Sequence, residues 1–212
     1  MAAEDTVVTA FADAVGALEE AEIPYVLIGG LGSSVRGRPR STDDVDLLVR
    51  PDDALPALEA LAAAGFETEE TNPHWIYKGC RDGVTIDVLF KVSGDIYLDE
   101  EMLERSTEEE LHGRRVRVAP PEDMLVIKAI AHDEPSSHHW HDALGLIAAG
   151  ELDWDYVLTR ARHGARRVLS LLIYAQSNDL VVPDEPIRAL FKTIYERKSL
   201  AQSTNARSPR QR

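Results

Sequence analysis

The sequence predicts an α+β fold in its first half, to about residue 119, followed by a C-terminal helical bundle to about residue 199 and a short tail, 200–212. Three observations carry this. Short apolar runs bounded by turn residues, at 25–28, 45–49 and 84–90, have the length and β-branched content of buried strands. Apolar stripes at helical spacing lie between and before those runs. After Pro120-Pro121 the strand signals stop and helical stripes follow one another.

The elements follow in chain order. Val7, Val8, Phe11, Val15 and Leu18 repeat at helical spacing, and Pro24 closes that first helix. Tyr25-Val26-Leu27-Ile28 is the first strand. Gly29-Gly30-Leu31-Gly32-Ser33-Ser34 is a tight turn that opens a short helix. Residues 45–49 form the second strand. Residues 52–64 form a helix with Leu55, Leu58 and Leu61 on its core face and Gly65 as its stop. Strands are predicted at 66–70, 75–78 and 84–90, and a weaker one at 114–118. In the helical half the stripes are Trp140, Ala143, Leu144 and Ile147; then Trp154, Val157, Leu158 and Ala161; then Val168, Leu171, Leu172 and Ala175. The last comprises Ile187, Leu190, Phe191, Ile194 and Tyr195. No internal repeat or low-complexity tract is visible.

Composition narrows the function classes. The 212 residues are 44% hydrophobic and 28% charged, as in a globular chain with a sizeable core. A chain of this size removes roughly 70% of its unfolded surface from water and needs no disulfide staples. Its single cysteine, Cys80, could form none internally, which fits a reducing, cytoplasmic setting. No apolar run reaches the roughly 20 residues that span a bilayer, and the start, Met1-Ala2-Ala3-Glu4-Asp5, lacks the pattern of a signal peptide. No membrane partner is expected. With 23 basic against 37 acidic residues the net charge is -14. That excludes a protein coating nucleic acid by uniform positive charge. A local basic patch is still available from Arg36, Arg38 and Arg40. The acid-free stretch after Glu196 holds Arg197, Lys198, Arg207, Arg210 and Arg212, and reads as a solvated, disordered end.

The stretch from Ile28 to Val49 carries the chemistry. In Asp44-Val45-Asp46-Leu47 side chains alternate, so Asp44 and Asp46 share one face while Val45, Leu47 and Val49 enter a core. Paired carboxylates at the edge of an apolar strand repel each other unless a proton, an arginine or a divalent cation intervenes. Hard cations such as Mg²⁺ favour oxygen-rich sites of this kind. Asp87, embedded in Thr85-Ile86-Asp87-Val88-Leu89-Phe90, is costly there without a partner. If its strand lies beside 45–49, Asp87 completes a three-carboxylate cluster able to hold one or two metal ions for phosphoryl transfer. The Gly29-Gly30 turn lets a ligand approach the backbone. The helix opening there offers free N–H groups to an anion, with Ser33 and Ser34 as further donors.

Taken together, the order and spacing of these residues resemble the nucleotidyltransferase superfamily, whose fold is shared with DNA polymerase beta. The matching residues are Ile28-Gly29-Gly30, then Asp44-Val45-Asp46-Leu47, then Ile86-Asp87-Val88. The resemblance covers roughly residues 22 to 150. Within the superfamily, Gly29-Gly30 through Arg40-Ser41-Thr42-Asp43-Asp44-Val45-Asp46 is most similar to AbiEii-type and MenT-like nucleotidyltransferases, many of them toxins of toxin–antitoxin pairs. The resemblance implies a nucleotidyltransferase-type mixed β-sheet flanked by helices. It implies transfer of a nucleoside monophosphate from an NTP, ATP among them, to an acceptor with release of pyrophosphate. Asp44 and Asp46 would hold Mg²⁺ or Mn²⁺, and Asp87 would complete the site and accept the acceptor's proton. Gly29, Gly30 and Ser33 would cradle the triphosphate. Lys128, the one basic residue in Met124-Leu125-Val126-Ile127-Lys128-Ala129-Ile130-Ala131, would reach the phosphates with Asp142 as its partner; the alternative is a snorkelling surface lysine. Arg40 is a second phosphate candidate. The acceptor would be tRNA, a protein side chain or a small molecule, and a toxin would have a cognate antitoxin. The alternatives are an aminoglycoside-type small-molecule enzyme and a non-catalytic nucleotide-binding module.

His138-His139-Trp140-His141 stands where that family commonly has a basic residue shortly before Asp142. With His132 and Asp133 these histidines could be read as a metal-dependent phosphohydrolase or zinc site. No His-Glu-x-x-His pattern accompanies them and the only cysteine is remote, so a surface loop between helices is the expectation. A dinucleotide-binding reading of Gly30 and Gly32 is weaker still, because Val35 occupies the third glycine position.

Overall fold

The computed structural model describes residues 2–37, 42, 44–133, 135, 138–150 and 152–205, with 2–5 and 197–205 as backbone only. Arg38, Arg40, Ser41, Asp43 and the tail residues 206–212 lie outside the described residues. The elements are α1 (Ala2–Glu20), β1 (Tyr25–Leu27), α2 (Gly29–Arg36), β2 (Asp44–Val49), α3 (Ala54–Ala63), β3 (Glu67–Asn72), β4 (Ile76–Arg81), β5 (Val84–Leu89), α4 (Glu100–Arg105), β6 (Thr107–Leu111), β7 (Arg114–Val118), α5 (Pro121–Ala131), α6 (His138–Ala149), α7 (Trp154–Arg160), α8 (Ala165–Ser177) and α9 (Asp184–Asn205).

Among the described residues, seven strands make one mixed sheet in the order β3-β4-β5-β2-β1-β7-β6. The pairs β2–β5 and β1–β7 are parallel and the remaining four are antiparallel. The two tight hairpins are set by residues at positive φ: Asp82 and Gly83 between β4 and β5, His112 and Gly113 between β6 and β7.

The sheet's two faces differ because β2 alternates. Val45 is register partner of Ile86, which is in turn opposite Gly79. A Cβ on Gly79 would meet Leu61 of α3 at 3.0 Å, so α3 packs down on this apolar face. α1 packs beside α3, with Phe11, Ala14, Val15 and Leu18 almost wholly buried. Asp44, Asp46 and Asp87 therefore face the other side, by strand alternation and the in-register pairing of Asp46 with Asp87. The helical half closes over that side, and one apolar cluster runs from Ala10 to Ile194.

Some elements depart from the pattern-based expectation. α4 and β6 leave no trace in the pattern because they carry almost no apolar signal. In α4 only Met102 is buried, and Asp99 caps it by accepting from the Met102 N–H at 2.9 Å. β6 is Thr-Glu-Glu-Glu-Leu and forms by pairing with β7. β3 lies one residue later than predicted because Phe66 turns into the core. The stripe predicted for α9 holds at Leu190 and Ile194, whereas Phe191 and Tyr195 are exposed and touch each other's rings. His138–His141 is not a loop: it forms the opening turn of α6. Among the described residues, no helix is long and apolar enough to cross a membrane.

Candidate active site

The site grows from the in-register pairing of β2 and β5. Asp46 stands opposite Asp87, and Asp44 lies two residues before Asp46 on the same face. Asp44 is exposed, Asp46 and Asp87 half-buried. Burial, then the facing Asp87, and more weakly Asp44 push the Asp46 carboxyl up to about 6, against the pull of Lys128 and the Gly30 N–H. On β4, opposite Asp87, Lys78 donates to Asp87 Oδ1 at 2.7 Å. Sequence patterning does not single out Lys78; its one signal is a cation directly after the buried pair Ile76 and Tyr77.

The glycine turn is fitted around Asp46. Gly29 has φ +65°, and a Cβ there would lie 1.7 Å from Asp46 Oδ2. The Ile28 N–H donates to the Asp46 carbonyl at 3.0 Å, which ties the turn to β2. The Gly30 N–H donates to the Asp46 carboxylate. Ser33 is buried and its hydroxyl donates to the Gly29 carbonyl at 2.7 Å, so it braces the turn from below.

Lys128 reaches the site from α5. It is 4% exposed, Asp142 of α6 is 3% exposed, and Lys128 Nζ stands 2.6 Å from Asp142 Oδ2. The surface-lysine alternative is excluded by that burial. Beside this pair, His138 and His139 have ring centroids 4.2 Å apart. Burial, followed by the neighbouring His138 and Lys128, pulls the His139 imidazole down to about 4.

A cavity of about 700 Å³ opens over these groups, with Gly29, Gly30, Asp44, Asp46 and Lys128 in its wall. Its remaining wall includes His139 and also Trp75, Leu89, Val92 and Ile127, to which the sequence pattern offers no guide. Ser33, Asp87 and Asp142 stand outside that wall, and Arg40 lies outside the described residues. Among the described residues, no three His, Cys, Asp or Glu side chains close to metal-holding distance as they stand.

The fold has counterparts of known structure. The antibiotic-resistance factor ANT(2'')-Ia in solution is 15% identical, over 96% of this chain and 99% of that one, with a TM-score of 0.53. A crystal structure of ANT(2'')-Ia with adenylyl-2''-tobramycin is 18% identical, over 82% and 98%, with a TM-score of 0.51. At these identities the likeness establishes the shared fold. No curated protein sequence matches the chain. The sequence model of the family described as "uncharacterised nucleotidyltransferase" matches residues 2–180, and with its carboxylate strands and glycine turn in place the chain belongs to that family of nucleotidyltransferases.

Proposed function

We propose that this nucleotidyltransferase uses Mg²⁺ to move a nucleoside monophosphate from an NTP onto a hydroxyl of a small, amine-bearing acceptor. The observation that carries the reading is the junction of Asp46 with Asp87 across β2 and β5 under the Gly29 turn. Three acids on one face, one of them pushed up to about 6 by burial and its neighbours, form a donor set that a hard divalent cation would relieve. Asp44 and Asp46 would hold the ion, with Asp87 completing the set. When bound, Mg²⁺ (or Mn²⁺) neutralises phosphate charge and polarises the phosphorus under attack.

The chain's own residues would do the rest. The Gly29-Gly30 turn brings the triphosphate close to the start of α2, where backbone N–H groups favour anions. Lys128, fixed by Asp142, offsets phosphate charge; Arg40 is a second candidate for that role. Asp87 Oδ1 is held by Lys78, which leaves Oδ2 to take the proton of the acceptor hydroxyl. The hydroxyl oxygen then bonds to the α-phosphorus, the bond to the bridging oxygen breaks, and pyrophosphate departs.

A small acceptor is favoured over tRNA by charge and enclosure. The net charge of -14 repels a polyanion and attracts a cation, and the cavity of about 700 Å³ has an apolar wall of Trp75, Leu89, Val92 and Ile127 beside the carboxylates. ANT(2'')-Ia, of the same fold, holds an adenylylated aminoglycoside in one of its structures. The test is transfer of label from each NTP with Mg²⁺ to aminoglycosides, total tRNA or cell protein. Label on the aminoglycoside, lost with Asp44→Ala plus Asp46→Ala, is expected. Label confined to tRNA would replace the acceptor with the MenT-like one, and toxicity on overexpression would then be looked for. Transfer that survives the double change would overturn the mechanism.

A further inference from the structure

Asp46, Asp87 and Lys78 form a row across three adjacent strands. Asp46 on β2 is the register partner of Asp87 on β5, and Asp87 is the register partner of Lys78 on β4. All three side chains lie on one face of the sheet by strand geometry. Lys78 Nζ is 2.7 Å from Asp87 Oδ1, with the two side chains 32% and 14% exposed. A lysine has a long, flexible stem; here the β4–β5 ladder delivers its head to one carboxylate oxygen.

We infer that Lys78 is a positioning residue that sets how much positive charge the carboxylate face accepts, an inference that rests on the metal-dependent reading above. The face carries three carboxylates, Asp44, Asp46 and Asp87. The Lys78 ammonium neutralises one of them and occupies one of the two oxygens of Asp87. What remains are the two carboxylates of Asp44 and Asp46, a complement matched to one divalent cation in the free protein. A second cation would then arrive with the triphosphate, whose own charge makes room for it. Lys78 thus competes with metal for Asp87 by holding its Oδ1.

Mn²⁺ titration of the free protein, with unbound Mn²⁺ read by electron paramagnetic resonance, tests this without nucleotide or acceptor. Wild type should bind Mn²⁺ and Asp46→Asn should lose that binding. Lys78→Met removes the competing charge at a half-buried site and should tighten the Mn²⁺ dissociation constant by about three- to tenfold. Lys78→Arg restores a cation at the same register position and should return it toward the wild-type value. Lys78→Gln serves as a second neutral variant, and each variant's fold is checked by circular dichroism. Wild type that binds no Mn²⁺, or Asp46→Asn that binds it equally, overturns the metal reading and this inference with it. Wild type that binds normally while Lys78→Met and Lys78→Gln bind with unchanged or weaker affinity overturns the role of Lys78 alone.

Discussion

Gly29 and Asp46 are built into the same space: any side chain on Gly29 would begin 1.7 Å from Asp46 Oδ2. The turn also sits at φ +65°, where a side chain is strained. The two facts bind the glycine turn and the carboxylate strand into one device. Gly29→Ala is therefore expected to displace the Asp46 carboxylate. NTP-dependent label transfer should fall at least about a hundredfold, and stability by about 1–3 kcal/mol. Gly65→Ala is the control. Its φ is +88° but nothing lies within 4 Å of the added methyl, so it should lose about 1 kcal/mol in urea denaturation and keep full transfer.

The buried pair of Lys128 and Asp142 gives a second prediction. With both side chains about 95% shielded, removing either partner leaves a charge in the interior. Lys128→Met or Asp142→Asn should each cost about 3–5 kcal/mol. The double change Lys128→Met/Asp142→Leu should regain most of that stability while transfer stays abolished. Equilibrium unfolding together with label transfer, measured on the four proteins, separates a structural pair from one that also serves phosphate.

Asp46 predicts an opposition between stability and function. Its half-buried carboxylate faces Asp87, an arrangement that costs folding energy in the absence of a cation. Asp46→Asn should raise stability of the metal-free protein by about 1–2 kcal/mol. Mg²⁺ should raise the Tm of wild type and leave that of Asp46→Asn unchanged. A thermal scan with and without Mg²⁺ reads both.

His139 supplies a pH dependence. Burial, with His138 and Lys128 nearby, lowers its pKa from 6.5 in the unfolded chain to about 4. Among the described residues its Nδ1 is buried without a hydrogen-bond partner. Between those two values the unfolded chain binds more protons than the native one, so stability rises with pH and is lost as pH falls from about 6.5 toward 4. The residue is partly exposed, and screening reduces the effect to about 1 kcal/mol. His139→Gln should flatten this part of the profile, measured by urea unfolding between pH 4.5 and 7.5 in wild type and variant.

Much of the site is legible in the amino-acid sequence. Asp44 and Asp46 announce a shared face through strand alternation, and Asp87 announces itself as an acid set among Ile86, Val88 and Leu89. Lys128 stands out for the same reason in its helix. Each is a polar residue breaking an apolar pattern, and such breaks are visible in one dimension. α4 and β6 are not legible, because Met102 is the only buried anchor of the first and the second depends on cross-strand bonds to β7. His138 and His139 read as loop because the chemistry of the pair says nothing about where α6 begins.

The linear chain by itself determined which residues are acids within strands, which glycines bend, and which lysine breaks an apolar helix, since periodicity and burial cost act on neighbours in sequence. The tertiary structure alone decided that β5 lies parallel to β2 in a register that sets Asp87 against Asp46, that β4 brings Lys78 to Asp87 Oδ1, and that α6 brings Asp142 to Lys128. Strand order, register and helix packing are settled by the summed burial of the whole core, a long-range quantity that no local stretch of sequence contains.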